Sequence, residues 1–193
     1  MAVRNLIQTG LWRWMKGIGL ERFELLYNSG EWILKGTILT LAERGASEAT
    51  YEVNCDDSWN TRRARISLRD GSGKRVLEVA VEGGLWYENG RLVESLTGCA
   101  DIDFEWSPST NTLPIRRLSL AIGKSSGPVI AAWVRFPSLT LEPLPQEYLR
   151  ISDRLYRYMS RRDDFVAELT IDEEGLVLEY EGLWRREITK LEV

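Results

Sequence analysis

The chain has 193 residues and a formal net charge of −4, which allows one sizeable core in a soluble globular protein. The acidic balance argues against a dedicated nucleic-acid-binding protein, because such domains usually carry a basic excess. The chain contains no histidine, which excludes Ser-His-Asp and Cys-His catalysis in their usual forms and metal sites that need imidazole.

Short alternating segments separated by polar turns fill the first half of the chain. Residues 10–28 combine strand-spaced tryptophans with a short helical turn predicted over residues 20–27. Period-2 alternation then predicts five strands, and the glycine-containing stretches 70–73 and 88–91 are hairpin signals. The five strands are 31–41, 48–54, 61–69, 74–82 and 85–87.

The segment 98–117 contains the densest set of candidate functional groups. Three acids alternate there with three apolar residues, so the two sets should face opposite sides of a strand. The acids are Asp101, Asp103 and Glu105. A proline ends the alternation, and a polar loop that includes Asn111 follows. Arg116 and Arg117 are then predicted to open a strand over residues 117–123.

The second half continues the same pattern of strands and turns. Residues 123–127, GKSSG, lack the Walker spacing and a following helix, so we predict a hairpin loop there. The prolines of 141–145 predict a connection, followed by a short helical turn from residue 146. Further strands are predicted over 128–136, 154–160, 165–172 and 176–180. We therefore predict a mainly β fold, an antiparallel β-roll or open barrel-like sheet with little helix. With no repeat and no composition change, residues 1–193 are predicted to form a single domain.

The paired acids Asp101 and Asp103 have two interpretations. They are suited to general acid/base work in a hydrolase or isomerase, including glycoside hydrolysis. The simpler interpretation is ion pairing with arginines, because opposite charges on neighbouring strands attract. The candidate partners are Arg63, Arg65, Arg116 and Arg117. An unpaired buried charge costs several kcal/mol, so an inward-facing set would indicate a ligand pocket.

Arginines and tryptophans supply the other candidate ligand contacts. Guanidinium groups bind carboxylate or phosphate in two-point geometry, although surface salt bridges explain them equally well. The arginines considered are Arg62, Arg116, Arg117, Arg135 and Arg185. The eight tryptophans either pack in a large β core or line a cavity for an apolar or sugar-bearing ligand. Those considered for stacking on a sugar are Trp106, Trp133 and Trp184.

The sequence also gives expectations for compartment and redox state. No apolar run is long enough to cross a bilayer, and the first residues lack the apolar core of a signal peptide. We therefore predict a cytoplasmic protein with no integral membrane segment. In that compartment Cys55 and Cys99 are expected as free thiols, whereas an oxidising one would permit a disulfide.

Four stretches of this chain resemble one known family. They are YEVNCDDSWNTRRARI, GCADIDFEWSPSTNTLPIRRL, AAWVRFPSLTLEPLPQEY and LVLEYEGLWRR. Together they resemble the bacterial putative glycolipid-binding family, first described as a domain of unknown function. The resemblance extends from about Trp12 to Arg186, and it implies a single-domain, β-rich roll with a ligand-binding role.

The resemblance also marks individual positions. The matching residues are Cys55, Asp56, Trp59, Thr61, Arg62, Cys99, Asp101, Asp103, Asn111, Thr112, Pro114, Arg116, Arg117, Tyr158, Gly182, Leu183 and Trp184. This chain departs from the family near its start, where a histidine of the family pattern is replaced by the run Gly-Ile-Gly-Leu-Glu-Arg at 17–22.

These observations predict a non-enzymatic binding protein without a cofactor, a metal or a nucleic-acid partner. Its concave face would bind an amphipathic small molecule such as a glycolipid, while the oligomeric state stays open. The ten predicted ligand-binding residues are Arg62, Asp101, Asp103, Asn111, Arg116, Arg117, Trp133, Arg135, Tyr158 and Trp184. The alternatives are a small-molecule hydrolase or isomerase with Asp101 or Asp103 as general base, and a protein-interaction module.

Overall fold

The computed structural model describes residues 5–42 and 45–187, which form one sheet of fifteen strands with very little helix. The strands are β1 Asn5–Trp14, β2 Gly19–Asn28, β3 Glu31–Ala42, β4 Gly45–Asp56, β5 Thr61–Asp70, β6 Gly73–Glu82, β7 Leu85–Glu88, β8 Arg91–Leu92, β9 Asp101–Phe104, β10 Val129–Val134, β11 Leu141–Arg150, β12 Leu155–Ser160, β13 Phe165–Ile171, β14 Val177–Tyr180 and β15 Trp184–Glu187. Two single 3-10 turns, Glu94–Leu96 and Ser109–Asn111, and the helix α1, Thr112–Leu118, complete the described elements. The prediction of a mainly β fold is confirmed.

The strand order follows the chain in two meanders. Strands β1 to β8 run outward to one edge of the sheet, and the chain then crosses to the opposite edge at β9. Strands β10 to β15 run back to the centre, where β15 pairs antiparallel with β1. All neighbours are antiparallel except β9 and β10, which run parallel.

The sheet curls so that its two halves face each other without closing into a barrel. The backbone N–H of Ile102 on β9 donates to Thr61 Oγ1 on β5 at 3.2 Å. Between the halves lies a core whose fully buried members come from both meanders, such as Phe23, Ile66 and Leu169. The strand alternation explains this packing, because every second side chain of a strand points to the same face.

Several tryptophans belong to this core, as the first of the two interpretations predicted. Trp12 is fully buried, stacks on Phe23 at 3.8 Å between ring centroids, and donates its indole N–H to the Val177 carbonyl at 2.7 Å. Trp86 is equally buried and donates to the Cys99 carbonyl at 3.0 Å. These bonds satisfy the only polar atom of each buried indole.

The strand predicted over 117–123 is wrong, and Arg116 and Arg117 lie instead in α1. Proline is tolerated in the first turn of a helix, so Pro114 lies in the first turn of α1 rather than ending a loop. Its apolar residues, Leu113 and Ile115, are buried. The helix ends at Ser119, whose φ of 43° is left-handed. Residues 123–127 are accordingly not a hairpin loop.

Two predicted helical turns are also strands in the structure. Residues 20–27 belong to β2, which pairs with both β1 and β3. Residues 141–150 form β11 despite Pro143 and Pro145, which pair in register with β10. The pairing of β11 with β12 begins only at Gln146, so the prolines lie where that side of β11 has no ladder partner. A missing N–H is tolerated at such an edge.

Candidate functional site

The largest cluster of predicted site residues surrounds a small cavity lined by β9 to β15 and their connections, here called the inner pocket. Its volume is about 210 Å³. Its wall consists of Asp103, Phe104, Glu105, Ser107, Asn111, Trp133, Leu144, Tyr158, Ser160, Asp163, Phe165, Tyr180, Leu183 and Trp184. Five of the ten predicted ligand-binding residues are therefore brought together: Asp103, Asn111, Trp133, Tyr158 and Trp184.

Asp103 is positioned by uncharged donors. Its Oδ1 accepts hydrogen bonds from Thr110 Oγ1 at 2.8 Å and from the Phe104 backbone N–H at 2.9 Å. Its Oδ2 accepts from Gln146 Nε2 at 2.7 Å. Burial raises the pKa of Asp103, and these three donors oppose that rise because they favour the ionised form. The carboxyl group is thus a rigid acceptor at the wall of the inner pocket.

Two buried polar groups, the Tyr148 hydroxyl and the Pro108 carbonyl, fix the amide of Asn111. The Tyr148 hydroxyl donates to Asn111 Oδ1 at 3.0 Å, and Asn111 Nδ2 donates to the Pro108 carbonyl at 3.2 Å. Tyr148 and Gln146 are both buried on the inward face of β11. Neither was a predicted site residue, because 141–145 was interpreted as a connection and 146–153 as a helical turn. Alternation along 144, 146 and 148 is the signal that would have found them.

Aromatic rings form much of the remaining wall. Tyr158 and Tyr180 meet edge to face at 6.0 Å between centroids, and Phe165 lies 6.2 Å from each of them. Burial raises the pKa of both tyrosines above the ordinary value, so their hydroxyls stay protonated at physiological pH. The inner pocket therefore combines apolar ring surfaces with neutral hydroxyl donors.

A larger apolar cavity, here called the outer groove, adjoins the inner pocket. Its volume is about 600 Å³. Its wall consists of Trp14, Lys16, Ile38, Thr40, Leu41, Ser47, Asp70, Glu105, Trp106, Pro137, Leu183 and Trp184. Trp14 and Trp184 stack across it with 6.4 Å between ring centroids. Glu105, Leu183 and Trp184 line both cavities, so the Gly-Leu-Trp turn singled out in the sequence lies at their junction.

Arg135 contacts two wall residues of the inner pocket, Glu105 and Trp133, and is not part of the wall itself. Its Nε donates to Glu105 Oε2 at 3.2 Å, and the same oxygen accepts from the Phe136 N–H at 2.7 Å. The guanidinium also lies 4.3 Å from the centre of the Trp133 ring. Arg135 therefore orients two wall residues without lining either cavity.

Two of the other predicted arginines lie in a separate surface cleft. Arg117 makes a bidentate pair with Asp101, at 2.9 Å to Oδ1 and 2.7 Å to Oδ2. Arg116 packs 5.4 Å from the centre of the Trp59 ring and contacts the Glu173 carbonyl at 3.5 Å. The cleft also contains Arg150 and Arg154 together with several acids, so its charges largely pair with one another.

The remaining predicted arginine, Arg62, is exposed at the start of β5. It pairs with Asp56 at 2.6 Å. Hydrogen bonds from Asn60 and the charge of Arg62 lower the pKa of Asp56 in spite of its partial desolvation. Arg62 thus closes a surface turn and lies outside both cavities.

Glu21, on the inward face of β2, is a functional group that the sequence interpretation missed. It is fully buried, and its Oε1 accepts from Tyr51 at 2.5 Å and from Ser107 at 2.8 Å. The Tyr51 ring reaches it across Gly36, where a Cβ would lie 2.4 Å from that ring. Burial raises the pKa of Glu21 to about 8, so it is mostly protonated at neutral pH. Through Ser107 this acid links the first meander to the wall of the inner pocket.

The structure offers neither carboxylate of the Asp101/Asp103 pair as a free general base. Asp101 is buried against Arg117, and both oxygens of Asp103 accept from fixed donors. Cys55 and Cys99 are free and buried, and desolvation raises the pKa of Cys99 to about 11. Over 5–42 and 45–187 no cluster of three or more acids or cysteines is arranged for a metal. Nor does any helix among these residues have the length and apolarity to span a bilayer.

Comparison with known proteins agrees with the resemblance seen in the sequence. The fold is similar to the crystal structure of a DUF1089 family protein from Pseudomonas aeruginosa, with a TM-score of 0.80 and 31% identity. That similarity covers 88% of this chain and 92% of the other. No curated protein matches the chain. The profile of the family described as putative glycolipid-binding matches residues 9–186, and the chain therefore belongs to that family.

Proposed function

We propose that this protein binds an amphipathic small molecule of the glycolipid type, with its polar head in the inner pocket and its apolar chain in the outer groove. The observation that carries the proposal is the adjacency of the two cavities, which share Glu105, Leu183 and Trp184. A ligand with one polar and one apolar end matches that arrangement at both ends. The family's description supports a binding role.

The chemistry of the inner pocket suits a sugar head. Rings of Trp133, Trp184 and Phe165 offer apolar faces on which the C–H surface of a sugar ring packs. Asp103, Tyr158 and Ser160 offer acceptors and donors for its hydroxyl groups. Small-molecule sites usually have this composition, with mostly apolar walls and a few fixed polar groups.

The outer groove suits the apolar chain. Its volume lies within the range of about 300–1,000 Å³ that is usual for ligand cavities. Ile38, Leu41 and Trp106 contribute apolar surface, and each methylene group buried there would stabilise the complex by about 0.8 kcal/mol. Lys16 and Asp70 are among the few charged residues of this wall.

The geometry narrows the set of residues that the proposal assigns to ligand contact. The five wall residues named above contact the head, and Arg135 orients Trp133 from behind. Asp101 and Arg117 stabilise the strand that carries Asp103. The proposal assigns no ligand contact to Arg62 and Arg116, which are among the ligand-binding residues predicted from the sequence.

The test is native mass spectrometry of the purified protein, with lipid extraction of the same sample. We expect a co-purifying amphiphile that is lost in Leu183→Lys, because this substitution places a charge at the junction of the cavities. Leu92→Lys is the matched control, since Leu92 is exposed on β8. The double variant Arg62→Ala, Arg116→Ala should retain the ligand. An apo mass across preparations, with no added amphiphile binding, would refute the proposal.

A further inference from the structure

We infer that the inner pocket selects an uncharged sugar head and rejects anionic heads that carry a phosphate or carboxylate. This inference rests on the proposed function and specifies the ligand class of the same site. It follows from the charges of the wall, from the direction of the nearby arginines and from the balance of donors and acceptors.

The wall carries negative charge. Asp103, Glu105 and Asp163 line the inner pocket, and no lysine or arginine is part of its wall in the described chain. An anion in the cavity would lie close to these carboxylates in surroundings less polar than bulk water. Like charges repel more strongly there than in solution, so an anionic head is disfavoured.

Two arginines beside the cavity pair with acids and are not part of its wall. Arg135 and Arg162 lie over the Trp133 ring, at 4.3 and 5.3 Å from its centre. Arg135 pairs with Glu105 and Glu142, and Arg162 pairs with Glu142. Their charges are thus matched by Glu142 and by the wall residue Glu105, so neither guanidinium is directed into the cavity as a cationic clamp.

The hydrogen-bonding groups also favour a ligand that donates. An ionised carboxylate only accepts hydrogen bonds, so the acids of the wall present acceptors to a ligand, of which Asp103 and Glu105 Oε2 already accept from protein donors. Sugar hydroxyl groups can donate to them. A carboxylate or a fully ionised phosphate has no proton to donate to them, so it adds repulsion without a compensating hydrogen bond.

The decisive experiment compares two probes that differ only at the sugar C6 position. Octyl β-glucoside is neutral, and octyl β-glucuronide carries a carboxylate on the same ring and chain. Both are titrated below their micelle concentrations by calorimetry at low salt. We expect the glucoside to bind about tenfold more tightly, with a smaller preference at high salt because screening weakens the repulsion.

A pair of neighbouring acids provides matched variants. Asp163→Asn removes one charge from the wall and should lower the preference for the glucoside about threefold. Asp164→Asn removes the same charge from the same exposed turn, outside the wall, and should leave the preference unchanged. Asparagine suits the left-handed φ of 49° at Asp164.

The outcomes separate the inference from the proposed function. Equal affinities, or tighter binding of the glucuronide, would overturn the inference while the proposed function stands. Failure of both probes to bind, with or without the substitutions, would overturn the proposed function and the inference together.

Discussion

Asp101 and Asp103 lie two residues apart on β9, yet their surroundings are opposite. Asp101 is buried against the Arg117 guanidinium, whereas Asp103 accepts hydrogen bonds from uncharged donors and lines the inner pocket. The ion pair with Arg117 fixes the Asp101 side chain and gives it a structural role. Asp103, whose pKa is raised by burial, is held at the cavity wall by hydrogen bonds from uncharged groups. The partner that tertiary structure supplies therefore decides the role of each carboxylate.

Glu21 extends the comparison to a third inward-facing acid, one that stays protonated at neutral pH. Its effect on the unfolding free energy should be the largest of those predicted below. Its pKa is about 8 in the folded protein and 4.5 without burial. Between these values the folded state binds more protons than the unfolded state, so stability falls as pH rises from about 4.5 to 8 and levels off above that. The difference between the two pKa values corresponds to a loss of about 5 kcal/mol in unfolding free energy across this pH range.

Glu21→Gln imitates the protonated acid and should remove this pH dependence. The variant is expected to exceed the wild type in stability by an amount that grows with pH up to about 9. Urea unfolding at a series of pH values measures it. Glu48→Gln, at an exposed site on β4, should follow the wild type. Parallel curves for wild type and Glu21→Gln would show that this carboxyl is not kept protonated.

Breaking the Asp101–Arg117 pair should give the next largest effect. Arg117→Ala leaves a buried carboxylate without its cation, and we expect a loss of about 3–5 kcal/mol in unfolding free energy. Adding Asp101→Asn should recover part of that loss, because the charge is then removed. Arg62→Ala is the control for an exposed pair and should cost less than about 1 kcal/mol. Similar losses of unfolding free energy in Arg117→Ala and Arg62→Ala would show that the buried pair stabilises the fold no more than the exposed pair does.

Asp103→Asn should have a small effect on stability and a selective one on binding. The new amide donates where Gln146 now donates, so one hydrogen bond is lost at a cost of about 1 kcal/mol. Affinity for octyl β-glucoside should fall about tenfold, because an acceptor for its hydroxyl groups is lost. Calorimetry measures the affinity. Unchanged affinity would show that Asp103 is a framework residue like Asp101.

The sequence predicted much of the fold but less of the site. Alternation identified most strands, since hairpin turns and period-2 patterns are local signals. It failed at 141–150, where two prolines obscure a strand whose first half, 141–145, has no ladder partner on the β12 side. It also failed at Arg116 and Arg117, because Pro114 fits a helix start as well as a loop end. The first failure concealed Gln146 and Tyr148, which position Asp103 and Asn111.

By itself the sequence determined the all-β character, the family and the segment that carries Asp103 and Asn111, because these depend on neighbours along the chain. Only the tertiary structure decided which acid meets an arginine, which lines a cavity and which is buried and protonated. Those outcomes depend on contacts between residues far apart in the chain, such as Ser107 with Glu21 and Gln146 with Asp103. Burial and hydrogen-bond partners set the charge of each group, and neither can be read from residue type or spacing.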